Sequence, residues 1–195
     1  MLSADEIQSS LNGAWRMMLG KADGLRLLDL SVDGFWNSFV AIAVAAPAMI
    51  VGWVGIANTG ETAASRFELL LRLAFVDIGT WILPVLALAI IAPRVGLGGR
   101  FVHYVVASNW ASAIIAWLML PGALMRLLFP AAEQASGLVS LALFFVSLVF
   151  SWRMTNQAIA KGAAMATAVF AGMFATALVA LFALQWLVGV SMFVD

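Results

Sequence analysis

An all-α, polytopic membrane protein, with five transmembrane helices preceded by an amphipathic N-terminal helix, is the fold class the sequence predicts. Three observations predict it: five long apolar stretches, short loops between them that carry nearly all the charge, and a composition that is 64% hydrophobic with a mean hydropathy of +1.04. About 20 apolar residues cross a hydrocarbon core of roughly 30 Å as a helix, and only helices or closed barrels satisfy every backbone hydrogen bond there. The apolar runs are too continuous for the alternating strands of a barrel.

The first element follows from Ser3 and Glu6, which form a capping-box pattern, and from Ile7, Leu11, Trp15 and Met18, which recur close to the helical period. They predict a short amphipathic helix ending near Gly20. Its other face carries Gln8, Asn12 and Arg16, which suits either the membrane surface or docking on the bundle. Residues 21–34 hold five charged side chains around Leu25, Leu27 and Leu28 and are expected to form a partly buried juxtamembrane segment. Phe35 and Trp36 then mark a membrane interface. The chain thus divides into a cytoplasmic segment, 1–34, and a transmembrane domain, 35–195.

Spanning helices are expected at 35–56, 68–92, 101–126, 136–154 and 163–193, the last being the longest and able to tilt or emerge. Flanking Lys and Arg residues sort by side. Arg16, Lys21, Arg26, Arg94, Arg100, Arg153 and Lys161 fall on one side, against Arg66, Arg126 and the borderline Arg72 on the other. The positive-inside rule therefore places the N-terminus in the cytoplasm and Asp195 across the membrane. Usage rich in Ala, Gly, Trp and Arg and poor in Lys points to a high-GC bacterial source, hence an inner membrane. The first 34 residues lack the apolar core of a secretory signal, so the N-terminus is expected to be retained.

Composition also removes function classes. Ten basic and ten acidic residues give zero net charge, so no basic field exists to hold nucleic acid. The absence of cysteine excludes disulfides and thiolate ligands, and the sole histidine, His103, has no second histidine with which to share a metal. No nucleophile motif, metalloprotease signature or phosphate loop is present. A non-enzymatic protein without cofactor or metal is expected.

Ionisable groups at membrane depth are functional candidates by default. Asp77 would lie about nine residues, or roughly 13 Å, into the second span. Gly79, Thr80 and Pro84 follow it, and the proline frees a backbone carbonyl able to bind a cation. The readings are an ion- or proton-handling site, or a buried ion pair or hydrogen bond to another helix. Asn109 in the third span would lie at similar depth, within reach of a polar contact to Asp77, and an amide there usually joins helices. Tyr104, Ser108 and Ser112 share a face at i,i+4 spacing, while His103 sits at a boundary. Glu68 and Arg72 are spaced to pair. Pro47, Pro84 and Pro121 each interrupt a span and mark kinks or a gate.

Two further patterns stand apart. Arg94, Arg100, Arg153 and Lys161 form a candidate rim for lipid head groups, although topology alone accounts for them. In the last span Ala164, Ala168, Gly172, Thr176 and Ala180 make an unbroken stripe of small residues at every fourth position, which lets helices approach closely. The stripe is expected to serve packing within the chain, a second copy or another membrane protein.

A cytoplasmic amphipathic N-terminus, five helices and a C-terminus on the far side resemble the arrangement of the Yip1-domain superfamily. Asp29-Leu30 followed by Gly34-Phe35-Trp36 resembles the Asp-Leu-Tyr-Gly-Pro-Phe-Trp motif of its eukaryotic members, without the Tyr and Pro. The resemblance implies a membrane-embedded interaction or membrane-organising protein and carries no catalytic residues across. The leading expectation is therefore a scaffold or accessory protein acting through helix association, with the bilayer and a homo-oligomer or membrane-protein partner around it. The alternative is a small transporter or channel using Asp77 and Asn109.

Overall fold

The computed structural model describes residues 2–59 and 65–190, and among them it contains helices and no strand. The helices are α1 (Ala4–Met18), α2 (Val32–Asn37), α3 (Val40–Thr59), α4 (Arg66–Ile91), α5 (Phe101–Leu128), α6 (Glu133–Ile159) and α7 (Ala163–Val188). Five of them, counting α2 with α3 as one span, are long and apolar enough to cross a membrane. The five expected long apolar helices are therefore present.

Their ends differ from expectation where capping overrules hydropathy. The fourth span runs to Ile159 rather than 154, because Arg153, Thr155, Asn156 and Gln157 continue the helix until Ala160 adopts a left-handed conformation, φ +49°, and closes it. The fifth is not the longest. Gly189, also left-handed at φ +66°, returns its N–H to Gln185 and Trp186 carbonyls and stops α7 at 26 residues, against 28 in α5. Residues 191–193, assigned to that span, and Asp195 lie outside the described residues. Pro47, Pro84 and Pro121 all sit inside continuous helices.

Successive spans run antiparallel. α3 packs chiefly on α5, α5 on α6, α4 on α7 and α6 on α7, whereas α4 and α5 barely touch. That missing contact opens the interior. Helix α1 docks on α5 and α6, with Ala14, Met17 and Met18 fully buried in the same core as Val105, Trp110 and Ala158. Of the two settings open to this helix, the structure thus selects the bundle, and Leu2, Leu11, Leu25, Leu28 and Leu30 join the core of the long helices.

The cap of α1 is the expected box: Glu6 accepts from the Ser3 backbone N–H at 2.6 Å and from its hydroxyl at 2.8 Å. These bonds, the backbone one first, hold the Glu6 carboxyl below its usual range. An ion pair between Arg16 and Asp23 fastens the following 3₁₀ turn, Ala22–Leu27, and likewise lowers the Asp23 carboxyl. Both contributions are present above the ordinary carboxylate range and fade as acid protonates the native pairs.

Between α1 and that turn the backbones touch. A Cβ on Gly13 would lie 2.8 Å from the Gly24 carbonyl oxygen, and one on Gly24 would strike the Gly13 carbonyl and the Met17 side chain. Neither contact can relax by a rotamer change. Gly24→Ala is expected to lower stability by about 1–3 kcal/mol and to loosen α1, read as lower thermal stability and faster tryptic cleavage at Arg16 and Lys21. An unchanged melting temperature would show that the turn shifts freely.

Candidate functional site

An open cavity of about 480 Å³ lies between α4, α5, α6 and α7, with Met49 of α3 at its edge. It fills the space where α4 and α5 fail to meet. Its walls sort by helix. From α4 come Asp77, Thr80, Trp81 and Pro84; from α5 Tyr104, Ser108, Asn109 and Ser112; from α6 Phe144, Ser147, Ser151 and Thr155; and from α7 Phe170, Met173 and Phe174.

Spacing explains why so many polar groups converge. Tyr104, Ser108 and Ser112 on α5, and Ser147, Ser151 and Thr155 on α6, each recur every fourth residue, so each set forms one stripe on its helix. Because α5 and α6 pack against each other, the two stripes make a continuous hydroxyl wall. Several of these hydroxyls donate to their own helix: Ser108 to the Val105 carbonyl at 3.0 Å, Ser147 to Phe144 at 2.7 Å and Thr155 to Ser151 at 2.8 Å. Their lone pairs remain as acceptors.

Asp77 lies half-buried near the middle of α4. Trp53 of α3 donates its indole N–H to Asp77 Oδ2 at 2.6 Å. No ion pair reaches this carboxyl among the described residues, and no Lys, Arg or His lines the cavity. One turn on, Thr80 Oγ1 is buried without a hydrogen-bond partner. Pro84, which has no N–H, also leaves the Thr80 carbonyl without its usual i+4 donor. Asp77, Thr80 and Pro84 therefore lie together on the cavity wall.

Asn109 has a different role. Its Oδ1 accepts from Trp81 Nε1 of α4 at 2.9 Å, and its Nδ2 donates to Ser38 Oγ at 2.9 Å. Ser38, fully buried between α2 and α3, donates in turn to the Phe35 carbonyl at 2.7 Å. This relay ties three spans together and occupies both ends of the amide. No direct Asp77–Asn109 bond forms; both line the one cavity, each held by a tryptophan.

Comparison of the chain with protein-family models, with curated proteins and with solved structures finds no match. The site is thus read from its chemistry alone.

The remaining candidates lie elsewhere. Lys161 donates to the Gly96 carbonyl and so joins the α6–α7 turn to the α4–α5 turn, while Arg94 caps its own helix at Ile90. Arg153 is exposed and Arg100 half-buried at the start of α5. His103 is partly buried, its Nδ1 without a partner. Glu68 and Arg72 pair as expected, and Arg72 also donates to the Val188 carbonyl at 2.7 Å.

The small-residue stripe divides. Ala180 is buried in the bundle, Thr176 is intermediate, and Ala164, Ala168 and Gly172 face outward. Ala168, Gly172 and Thr176 line, with Leu88 and Ile91, an outer apolar groove of about 210 Å³ between α4 and α7.

Sequence reasoning missed Trp53, Trp81, Ser38 and the α6 hydroxyls. The α6 stripe was detectable as an i,i+4,i+8 repeat, and Trp81 as an indole in the middle of its apolar run. Replacing Asn109 by Leu is expected to destabilise the fold by about 1–3 kcal/mol, since it strands the Trp81 indole and the Ser38 hydroxyl. Asp77→Asn keeps an oxygen for Trp53 and is expected to change stability by less than about 1 kcal/mol. Unfolding of both variants in one detergent checks the contrast; equal losses would make Asp77 a packing residue.

Proposed function

We propose that the chain is a small membrane transporter that takes a polar or charged solute into the cavity between α4, α5, α6 and α7, with Asp77 as its principal contact. The observation that carries this reading is a carboxyl without a basic partner beside an unsatisfied buried hydroxyl, Thr80, in a cavity of ligand size, about 480 Å³. A carboxylate at membrane depth is costly unless a proton or another cation compensates it. Here no side chain supplies that cation, and the cavity leaves room for one that comes and goes. Pro84 on the same helix face and the sparse α4–α5 contact favour movement of α4 against its neighbours. The setting is a bacterial inner membrane with α1 on the cytoplasmic side, as the distribution of Lys and Arg favours.

The chain reconstituted in proteoliposomes should accumulate at least one member of a mixed set of amines, amino acids, sugars and carboxylates above protein-free vesicles, read by mass spectrometry of the lumen. Asp77→Asn should lower that uptake at least about tenfold, equivalent to ~1.4 kcal/mol of binding or barrier, with folding intact. Uptake indifferent to the substitution, or no uptake of any member, would overturn the reading.

A second reading rests on the outward half of the α7 stripe. Helix association through Ala164, Ala168 and Gly172, as the Yip1-type resemblance also implies, would place a second copy or another membrane protein on this face. Native mass spectrometry after gentle extraction should then show a complex that Gly172→Leu dissociates; a monomeric native protein would remove this reading.

A further inference from the structure

The charge of the cavity is one-sided: Asp77 is its carboxyl, and no Lys, Arg or His lines it. Asp77 contributes a carboxyl with one oxygen engaged by Trp53 and the other, Oδ1, taking no hydrogen bond or ion pair among the described residues. Ser108, Ser147 and Thr155 have already donated their protons to helix carbonyls; Ser108 and Ser147 present acceptors toward the cavity, while Thr155 is engaged with the Tyr104 hydroxyl. Pro84 adds the released Thr80 carbonyl, a further acceptor. The Trp81 indole is taken by Asn109 Oδ1, and one of the two Asn109 amide N–H groups is taken by Ser38. What remains as donors are the Tyr104 phenol, set against Thr155, and the rotating hydroxyls of Thr80, Ser112 and Ser151, each with an acceptor lone pair as well.

No cationic side chain lines the cavity. An anionic solute would therefore meet a carboxyl and a row of lone pairs with nothing to offset its charge. A bare metal ion needs several oxygens closed around it at about 2.3–2.6 Å, and a space of about 480 Å³ is far larger than that shell. The remaining surface is aromatic and soft. Phe170 and Phe174 stack at 6.2 Å, Phe144 stands against Phe174 at 6.4 Å, and Met173 lies beside them on the wall. Ring faces attract cations and cover hydrocarbon equally well.

We infer that the solute is an amphipathic organic amine bound as its ammonium ion, with the N–H donors directed to Asp77 and the hydroxyl wall and the hydrocarbon or aryl body along Phe144, Phe170 and Phe174. This assignment rests on the solute-binding reading above and narrows it to one chemical class. The ammonium supplies the positive charge that Asp77 lacks, its several donors match the acceptor-rich wall, and its body replaces cavity contents against the phenyl rings. A primary or secondary amine fits better than a quaternary one, which has no N–H to give.

Three probes of similar shape and different charge test it on the full chain in lipid nanodiscs, with empty nanodiscs as the control for partitioning: phenethylammonium, 2-phenylethanol and phenylacetate. Saturable binding of phenethylammonium, at least about 30-fold tighter than the other two, is expected, the ratio corresponding to the loss of one partner of a buried charge pair. Asp77→Asn should remove that preference, and Thr80→Val, which keeps the charge, should weaken the amine while leaving the order of the three probes unchanged. The charge series on the unaltered protein stands even if a variant fails to fold. Equal or tighter binding of the alcohol or the carboxylate would overturn the amine assignment and leave a solute-binding cavity in place. Binding of none of the three would overturn the assignment, and only together with silence in the mixed-solute uptake experiment would it remove the transport reading too.

Discussion

The bundle depends on how polar groups set within long apolar helices are satisfied by one another. The relay from Trp81 through Asn109 to Ser38 is the central instance, joining α4, α5 and the α2–α3 junction by bonds of 2.9 Å each. Other indoles do the same work between other pairs. Trp53 reaches Asp77 from α3 to α4, Trp117 reaches the Val44 carbonyl from α5 to α3, and Trp152 reaches the Thr167 hydroxyl from α6 to α7. An indole carries one donor on a large apolar body, so it can cross between helices without leaving an acceptor unsatisfied. Four of the eight tryptophans are spent in this way, Trp117 while itself remaining exposed.

These ties explain why α4 stays beside α5 with so little backbone contact. Side chains bridge the gap at one level and leave it open at others, and the opening is the cavity. The polar groups that the ties do not use, Asp77 Oδ1 and the Thr80 hydroxyl, border it. Apolar side chains filling that opening would add packing contacts that the bundle now forgoes. Stability is commonly conceded at sites that must receive something.

The sequence made the coarse architecture legible and the interior only partly so. Five apolar runs, each about the thickness of a bilayer, determine the number of spans, and the Ser3–Glu6 box determines the start of α1. Helix ends were harder. The fourth span outlasts its apolar run because Arg153, Met154 and Gln157 are good helix formers, and a chain stops where Ala160 or Gly189 turns left-handed, not where hydropathy falls. Asp77, Asn109 and the Tyr104–Ser108–Ser112 face stood out as polar residues in apolar runs. Their division of labour did not. Nothing in the spacing of Asn109 says that both its ends would be taken by Trp81 and Ser38, the latter 71 residues away in the chain, because that pairing depends on how α3 leans on α5.

The same asymmetry separates the two outward readings of the molecule. The α7 stripe is conspicuous in sequence, yet its residues face apolar surroundings in which close helix approach and lipid contact differ by little more than packing. The cavity is inconspicuous in sequence, yet an uncompensated carboxyl and a buried hydroxyl without a partner are each worth several times a packing contact. Where the two signals compete for an account of what the chain does, the larger unsatisfied free energy is the stronger guide. It lies in the interior, on the face that Asp77, Thr80 and Pro84 share.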